Sequence, residues 1–401
     1  MRSCILVVGS LDSANFEVAF KVIKSTKRYD SIHIISTDKG VLDDKYVDSN
    51  CLRFYHQRLY SNRILRFVRK RKYAKLYLLL HIFFMLLESY GLLLDIRMIT
   101  KQCEKIIKEF GVTDVFTLLN PSYAHASVIK LKYKYGLKLY QFWIDQYSNK
   151  AYHMSKYVRL FVGRYFIRRL KKEEDYLLSN ADYCFALPET FIGDYIAQKY
   201  KDKISTFEIP YIEDKLILSQ SDEIVFAGAF VSKVRDPEPV FELLLSALPS
   251  LSRNIQFTFY VPQPELYKDI SQLSCGRVNF HSYISREKLS TKLADAYMLL
   301  TIGNKGITQM PSKTVEYISY RKPILFFYAD DSDASFSYFN EYPDVCKIDV
   351  RNDKRQNTKI LADYINSYHD PIDYQDILKV PVYRESSLDF VGSFVSSLLS
   401  D

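Results

Sequence analysis

Short apolar runs alternate with helix-like segments along nearly the whole chain, and few folds satisfy this pattern. Residues 4–9 and 32–36 have the composition of strands on either side of a helical segment, and residues 114–119 and 138–144 repeat the arrangement. Successive strands joined by helices form parallel sheets, because a parallel pairing needs a long crossover connection. The pattern therefore predicts an α/β protein with parallel sheets.

The alternation starts again after a polar junction at about residues 211–222. Residues 223–230 (EIVFAGAF) predict a strand that ends at a glycine turn, and further helices and strands follow. The chain has 401 residues, whereas a single hydrophobic core stops growing at roughly 250–300 residues. Two successive α/β domains are therefore predicted, and residues 385–401 are expected to close the chain as an amphipathic helix.

The positive charge of the chain is confined to its first half. Residues 1–200 carry 33 Lys and Arg against 19 Asp and Glu, a net charge of +14, whereas residues 201–401 carry 22 against 28, a net charge of −6. An asymmetry of this kind between two halves indicates that each half binds a different partner.

Six cysteines are spread along the chain without a C-x-x-C spacing. This distribution speaks against a zinc site or a disulfide framework and is typical of a reducing compartment. The apolar run near Met1 is too short for the core of a signal peptide, so it is interpreted as a first strand. The sequence thus predicts a cytoplasmic protein.

Residues 310–325 (MPSKTVEYISYRKPIL) predict a helix followed by a buried strand. Pro311 suits the first turn of a helix, and Pro323 ends the helix before the apolar run begins. Lys313 and Glu316 are three residues apart and so share one face of this helix. The pair is either a solvated ion pair that contributes little, or a site at which Lys313 binds a phosphate and Glu316 binds a ribose.

Three segments, ADYCFALPETF, AGAFVSKVRDPEPVFELL and MPSKTVEYISYRKPIL, resemble GT-B glycosyltransferases of the family 4 type. The resemblance implies two Rossmann-like domains facing a central cleft. The N-terminal domain, residues 1–212, would bind the acceptor and face the membrane. The C-terminal domain, residues 213–384, would bind the nucleotide-sugar, and a helix in residues 385–401 would cross back to the first domain.

The same resemblance implies the residues of the donor site. Lys233 and Arg235 act as catalytic cations where negative charge builds up on the diphosphate leaving group. Glu316 corresponds to the family's ribose-binding acid, and Lys313 approaches the diphosphate from the other side. The donor-binding residues are Gly228, Asn304, Thr308, Ser312, Lys313 and Glu316.

One position departs from the family pattern. Many members have a glutamate near the transferred sugar where this chain has Thr308, and this leaves open whether the enzyme retains the anomeric configuration, as the family usually does. No Asp-x-Asp pair occurs at a corresponding place. We therefore expect neither a metal ion nor another cofactor.

The acceptor side is assigned to the first domain. Gly9 and Ser10 follow the first strand, where the family has a glycine-containing loop at the cleft. Asp145 ends a strand at a place where relatives often have an Asp or His near the reacting sugar, so the resemblance gives it a catalytic role. An Asp after a strand is otherwise a helix or turn cap, and that alternative stays open.

Two segments of the first half, residues 58–87 and 156–172, mix basic with apolar residues. The apolar run within the first is interrupted by His81 and Glu88, whereas a spanning helix needs ~20 apolar residues. Nucleic-acid binding is not expected, because no aromatic sheet platform is evident. Basic amphipathic helices indicate an anionic membrane surface, and ordinary solvated helices are the alternative.

Taken together, these features predict a peripheral glycosyltransferase at the inner face of the plasma membrane. It would move a hexose from a UDP- or GDP-sugar to a lipid-linked glycan during assembly of a bacterial capsule, exopolysaccharide or O-antigen. Two alternatives remain: a nucleotide-sugar 2-epimerase on the same fold, and a non-catalytic partner subunit that resembles a glycosyltransferase.

Overall fold

The computed structural model describes most of the chain in segments. The described residues are 2–8, 14–37, 51–56, 80, 83, 94–118, 122–144, 168, 171–172, 174–188, 198–215, 221–230, 234–305, 312–370 and 372–399. Contacts divide the chain into two compact units, Met1–Pro210 with Leu388–Asp401, and Tyr211–Ser387. The boundaries set from the sequence were residues 212 and 384.

The first unit contains a seven-stranded parallel sheet. Its strands are β1 (Ser3–Val8), β2 (Ser31–Ser36), β3 (Leu52–His56), β4 (Asp114–Leu118), β5 (Lys138–Trp143), β6 (Tyr183–Ala186) and β7 (Ile204–Thr206). Their order is β3-β2-β1-β4-β5-β6-β7. Its helices include α1 (Ala14–Ser25), α2 (Leu94–Phe110) and α3 (Ser122–Tyr135). Every residue of β1 and β2 is buried, as expected for parallel strands covered on both faces.

The second unit contains a six-stranded parallel sheet. Its strands are β8 (Glu223–Ala227), β9 (Gln256–Tyr260), β10 (Val278–His281), β11 (Met298–Ile302), β12 (Ile324–Tyr328) and β13 (Val345–Asp349), in the order β10-β9-β8-β11-β12-β13. The direction of winding reverses between β8 and β11. In sheets of this kind ligands bind beyond the carboxyl ends of the strands at such a reversal.

Helices connect these strands or follow the last of them. They are α4 (Glu238–Ala247), α5 (Lys268–Leu273), α6 (Arg286–Asp295), α7 (Ser312–Ile318), α8 (Ala334–Tyr338), α9 (Lys354–Asn366), α10 (Tyr374–Lys379) and α11 (Pro381–Glu385). The prediction that residues 310–325 form a helix and then a buried strand is confirmed by α7 and β12.

The last helix, α12 (Leu388–Leu398), belongs to the first unit and packs against α1. Gly392 allows this close packing, because a Cβ atom at this position would collide with Ser25. Arg28 Nη1 also donates to the carbonyl oxygen of Ser396 at 3.3 Å. The chain therefore returns to its first unit after completing the second.

Membrane contact was predicted from residues 58–87 and 156–172, which lie almost entirely outside the described residues. Within the described part of the chain, no helix combines the length and apolar character needed to cross a membrane.

Candidate functional site

The loop after β8 is anchored by aromatic packing. Phe230 stacks on Phe226 with ring centroids 5.1 Å apart, and its edge meets the rings of Phe241 and Tyr267 at 5.7 and 5.3 Å. Such pairs add to the stabilisation that burial already provides. One turn of this loop is therefore fixed to the core of the second unit.

The loop after β8 also brings Arg235 back over Gly228. A Cβ atom at Gly228 would lie 3.1 Å from Phe226 Cζ and 3.5 Å from Arg235 Nη1. The first of these distances is tighter than ordinary van der Waals contact. A Cβ atom at Gly228 would therefore crowd the Phe226 ring, whereas its distance from the Arg235 guanidinium would be an ordinary contact.

The guanidinium of Arg235 is held by the loop after β11. Its Nη2 donates to Asn304 Oδ1 at 2.8 Å, and its Nη1 donates to the carbonyl oxygen of Ala229 at 3.4 Å. Its Nε is buried and has no hydrogen-bond partner among the described residues. Burial lowers the pKa of Arg235, and the nearby negative charge of Asp333 opposes this effect. The guanidinium stays charged, as arginine does throughout proteins.

Asp333 joins the loops that follow β11 and β12. Its side chain is almost fully buried, since the residue is 2% exposed. Asp333 Oδ2 accepts from the backbone N–H of Asn304 at 2.5 Å, and Oδ1 accepts from the backbone N–H of Ser335 at 2.8 Å. One carboxylate therefore fixes two neighbouring loops at the carboxyl edge of the sheet.

Glu316 on α7 is a buried carboxylate surrounded by cations. The residue is 4% exposed, and its Oε2 accepts from Lys313 Nζ at 2.7 Å. The Arg286 guanidinium lies 4.0 Å from the same oxygen, and Tyr320 donates its hydroxyl to Oε1 at 3.2 Å. Burial alone would raise the pKa of Glu316, but Lys313, Arg286 and Lys215 lower it to about 2. Glu316 is therefore ionised and accepts hydrogen bonds only.

Tyr317 connects α7 with the end of β8. Its buried hydroxyl accepts from the backbone N–H of Ala227 at 3.1 Å. Burial raises the pKa of Tyr317, the charge of Glu316 raises it further, and the charge of Arg235 lowers it. The hydroxyl is therefore within electrostatic range of both ionic groups.

Tyr283 follows β10 and reaches the same edge. Burial raises the pKa of Tyr283 and the charge of Arg235 lowers it, although the residue is 56% exposed. The loops after β8, β10, β11 and β12 thus contribute side chains around one guanidinium.

Most of the donor residues predicted from the sequence come together at this edge. The structure brings Gly228, Arg235 and Asn304 into one cluster, and α7, which carries Lys313 and Glu316, reaches the end of β8 through Tyr317. Ser312 is the first residue of α7. Lys233 and Thr308, as well as Gly9, Ser10 and Asp145 of the first unit, lie outside the described residues, and their roles stay predictions.

Sequence reasoning missed several members of the cluster, namely Lys215, Tyr283, Arg286, Tyr317, Tyr320 and Asp333. Asp333 could have been found, because it follows β12 at the same sheet edge where Asn304 follows β11. The tyrosines carry no such signal, since their hydroxyls reach the site only through packing between separate elements.

The surface formed by the described residues of the second unit contains a cavity and a groove. A cavity of about 200 Å³ adjoins the cluster, with Val234, Gly303, Lys305 and Tyr328 among its lining residues. A larger, open groove of about 640 Å³ lies between α4 and α9. The groove contains none of the ionic groups described above, so its size alone does not make it the functional site.

No cluster of three or more His, Cys, Asp or Glu side chains suited to a metal ion occurs within the described part of the chain. Metal independence stays a prediction, because residues 306–311, which directly follow Lys305 in the chain, are outside that part.

Comparison with known proteins gives matches at the level of structure only. No protein-family model matches the chain, and no curated protein matches its sequence. A solved glycosyltransferase from Rickettsia africae has 13% identity and a TM-score of 0.54, with 99% of this chain and 97% of that chain covered.

Two further solved structures are similar over almost their whole length. The lipopolysaccharide outer core galactosyltransferase WaaB, in its apo form, has 12% identity and a TM-score of 0.51, with 99% of each chain covered. UDP-GlcNAc 2-epimerase from Methanocaldococcus jannaschii has 9% identity and a TM-score of 0.53, again with 99% of each chain covered.

The chain forms two parallel sheets with connecting helices. It is similar over its full length to glycosyltransferases of the GT-B fold, and the two observations together define its fold class. The protein has the GT-B fold, and the α/β fold predicted from its sequence is confirmed. Identities of this size establish the fold alone, so the activity has to be argued from the site.

Proposed function

We propose that this protein is a glycosyltransferase that binds a nucleotide-sugar at the carboxyl edge of the sheet in its second unit. The observation that carries the proposal is the joint placement of an oriented guanidinium, Arg235, and an ionised buried carboxylate, Glu316, around the hydroxyl of Tyr317. A nucleoside diphosphate has a partner for both residues: its phosphates are anions that Arg235 can bind, and its ribose has two hydroxyls that can donate to Glu316.

Arg235 supplies the positive charge for the diphosphate. Transfer of a sugar leaves extra negative charge on the nucleoside diphosphate, and a fixed cation stabilises that charge without reorganising at the moment of reaction. Asn304 Oδ1 accepts from the guanidinium at 2.8 Å and so helps to orient it. Lys233, two residues earlier in the chain, is proposed to act beside it.

Glu316 is proposed to bind the ribose. A carboxylate can accept from two vicinal hydroxyls, and the low pKa of Glu316 keeps it ionised at every physiological pH. Lys313 Nζ donates to Glu316 Oε2, and the Lys313 side chain is 30% exposed. In the complex the Lys313 ammonium turns to a phosphate oxygen, which releases that carboxylate oxygen to the ribose.

The finer assignment rests on the sequence. The PSK and EY residues of the segment 311–317 and the sequence after β8 support a family 4 type of enzyme. The positive charge of residues 1–200 supports an anionic, lipid-linked acceptor and contact with the inner face of the plasma membrane, in surface polysaccharide assembly. We propose a hexose as the transferred sugar, no metal ion, and Gly9, Ser10 and Asp145 on the acceptor side.

Binding of the donor tests this proposal. UDP-, GDP- and dTDP-sugars are screened for a rise in melting temperature, and affinities for the hit are then measured by calorimetry. Arg235→Ala should weaken binding about 10- to 100-fold, because a hydrogen bond to a charged group is worth roughly 1.5–3 kcal/mol. Glu316→Ala should lower both affinity and transfer rate.

Glu104→Ala is the matched control. Glu104 on α2 also accepts from a lysine and a tyrosine, Lys134 at 2.7 Å and Tyr135 at 2.6 Å, but it lies in the first unit. Its replacement should leave donor affinity unchanged. A Glu316→Ala protein with wild-type affinity and rate would overturn the site, and a wild-type protein that binds no nucleotide-sugar would favour the non-catalytic alternative.

The 2-epimerase alternative is kept, because one structure of this fold belongs to such an enzyme. An epimerase needs no acceptor. Incubation of the donor alone followed by analysis for an isomeric sugar separates the two activities. We expect no isomer, and its appearance would replace the transferase proposal.

A further inference from the structure

We propose that Asp333 is a positioning residue that orients Arg235 towards the diphosphate of the donor. This inference rests on the proposed function, since it assumes that Arg235 contacts a diphosphate. Asp333 was not among the residues predicted from the sequence, and it is not proposed to touch the ligand itself.

Asp333 is attached to two separate backbone groups. The carboxylate is almost fully buried, yet both of its oxygens accept from backbone N–H groups, those of Asn304 and Ser335. A buried carboxylate with this arrangement keeps its place, because leaving a buried charge without its hydrogen bonds is costly. Asp333 is therefore a fixed point between the loops after β11 and β12.

Asn304 links Asp333 to the Arg235 guanidinium. The backbone N–H of Asn304 donates to Asp333 Oδ2, and Asn304 Oδ1 accepts from Arg235 Nη2. A shift of the Asn304 backbone would carry that oxygen away from Arg235. The charge of Asp333 also acts on Arg235 directly, as the leading favourable influence on its protonated state. Asp333 thus sets both the geometry and the electrostatic environment of the guanidinium.

Gly303 packs directly against the Asp333 carboxylate. A Cβ atom at this position would collide with Asp333 Oδ2 and lie 3.2 Å from Phe326 Cε2. The collision with the carboxylate is the more severe of the two. The lack of a side chain at Gly303, directly after β11, therefore leaves room for the Asp333 carboxylate. Substitution of either residue tests whether this arrangement orients Arg235.

Asp333→Asn is the first test. It keeps the size of the side chain but removes the charge and one acceptor. UDP, GDP and dTDP, together with UMP, GMP and dTMP, are titrated into wild type and variant. We expect the preference for the diphosphate over the monophosphate to fall at least 10-fold in the variant, because the loss concerns the diphosphate contact. A purely structural role would weaken both nucleotides equally.

Asp373→Asn is the matched control for loss of a capping carboxylate. Asp373 accepts from the backbone N–H of Gln375 at 2.8 Å, two residues on, as Asp333 does from Ser335. The control lies at the start of α10 and away from the cluster. Its diphosphate preference should equal that of the wild type.

A double-mutant cycle isolates the action through Arg235. In an Arg235→Ala protein, Asp333→Asn should cause no further loss of diphosphate preference. An equal loss with and without Arg235 would overturn the positioning role while leaving the proposed function in place.

Gly303→Ala covers the case in which Asp333→Asn fails to fold. It should reduce the diphosphate preference as Asp333→Asn does, because the added Cβ atom displaces the carboxylate, and replacement of Asp333 by Ala in the same protein should cause little further reduction. Retention of the full preference in Gly303→Ala would contradict the inference. If wild type binds none of the six nucleotides, the proposed function itself fails, which is a different result from any of the variant outcomes.

Discussion

Glu316 shows how a single residue combines burial with full charge. Its environment contains three cations within electrostatic range, and these outweigh the cost of burial. The sequence offered a solvated pair or a ligand site for Lys313 and Glu316, and the observed burial of the carboxylate rules out the solvated pair. No sequence pattern predicts that Arg286 and Lys215 lie near Glu316, because both belong to segments distant from it in the chain.

A pH dependence follows at this scale. The pKa of Glu316 is lowered in the folded protein, to about 2 from an ordinary 4.5. Its contribution to stability is therefore present above pH ~4.5 and is lost as pH falls towards the folded pKa. The melting temperature of wild type should exceed that of Glu316→Gln most at pH 6, and the difference should shrink by pH 3.

Thermal unfolding of the two proteins between pH 3 and 6 measures this difference. Other carboxylates titrate in the same range, but they are common to both proteins and cancel in the comparison. A difference that stays constant or grows on acidification would show that Glu316 is not held in its ionised form.

At the scale of elements, the alternation of strands and helices was recovered closely from the sequence. The strand predicted at 114–119 is β4, and the strand predicted at 138–144 is β5. The missed strands include β7, which has only three residues, and β13; both lie at sheet edges and have partly exposed residues. Their mixed polarity hides them, because an edge strand is not obliged to be uniformly apolar.

The loop after β8 supports a prediction at this scale. Phe230→Ala removes the ring that packs against Phe226, Phe241 and Tyr267, so the loop that carries Arg235 loses its anchor. We expect about 2 kcal/mol lower stability from the lost burial, together with weaker binding of the diphosphate. Chemical denaturation and calorimetry measure the two effects.

Tyr368→Ala serves as the control for loss of an aromatic ring, since Tyr368 is 84% exposed. It should leave both quantities nearly unchanged. A Phe230→Ala protein that is destabilised but binds the diphosphate with wild-type affinity would separate the anchor from the site and contradict this account of the loop.

At the scale of the whole molecule, the two units differ in sequence charge as they differ in proposed partner. The fold could be predicted because strand–helix alternation and turn residues are local properties. The complete site could not, because the contacts of Asp333, Tyr317 and Arg286 arise only when loops from separate strands meet. Residues 58–87, from which membrane contact was predicted, lie almost wholly outside the described residues.

Binding to vesicles tests that contact. Replacement of Arg69, Lys70 and Arg71 by Gln should weaken binding to vesicles that contain anionic lipid, since each cation near such a surface is worth roughly 1 kcal/mol. Replacement of the exposed Lys288, Arg355 and Lys359 in the second unit removes the same charge and should have little effect. Equal loss in both triple variants would mean that net charge, and not the basic segment, governs the binding.

The central claim is that the second unit holds an activated sugar with its diphosphate on Arg235 and its ribose on Glu316. A crystal structure of the protein with the nucleotide-sugar that raises its melting temperature tests it most directly. The account predicts phosphate oxygens within about 3 Å of the Arg235 guanidinium and ribose hydroxyls on the Glu316 carboxylate. A nucleotide bound elsewhere, for example in the groove between α4 and α9, would contradict it.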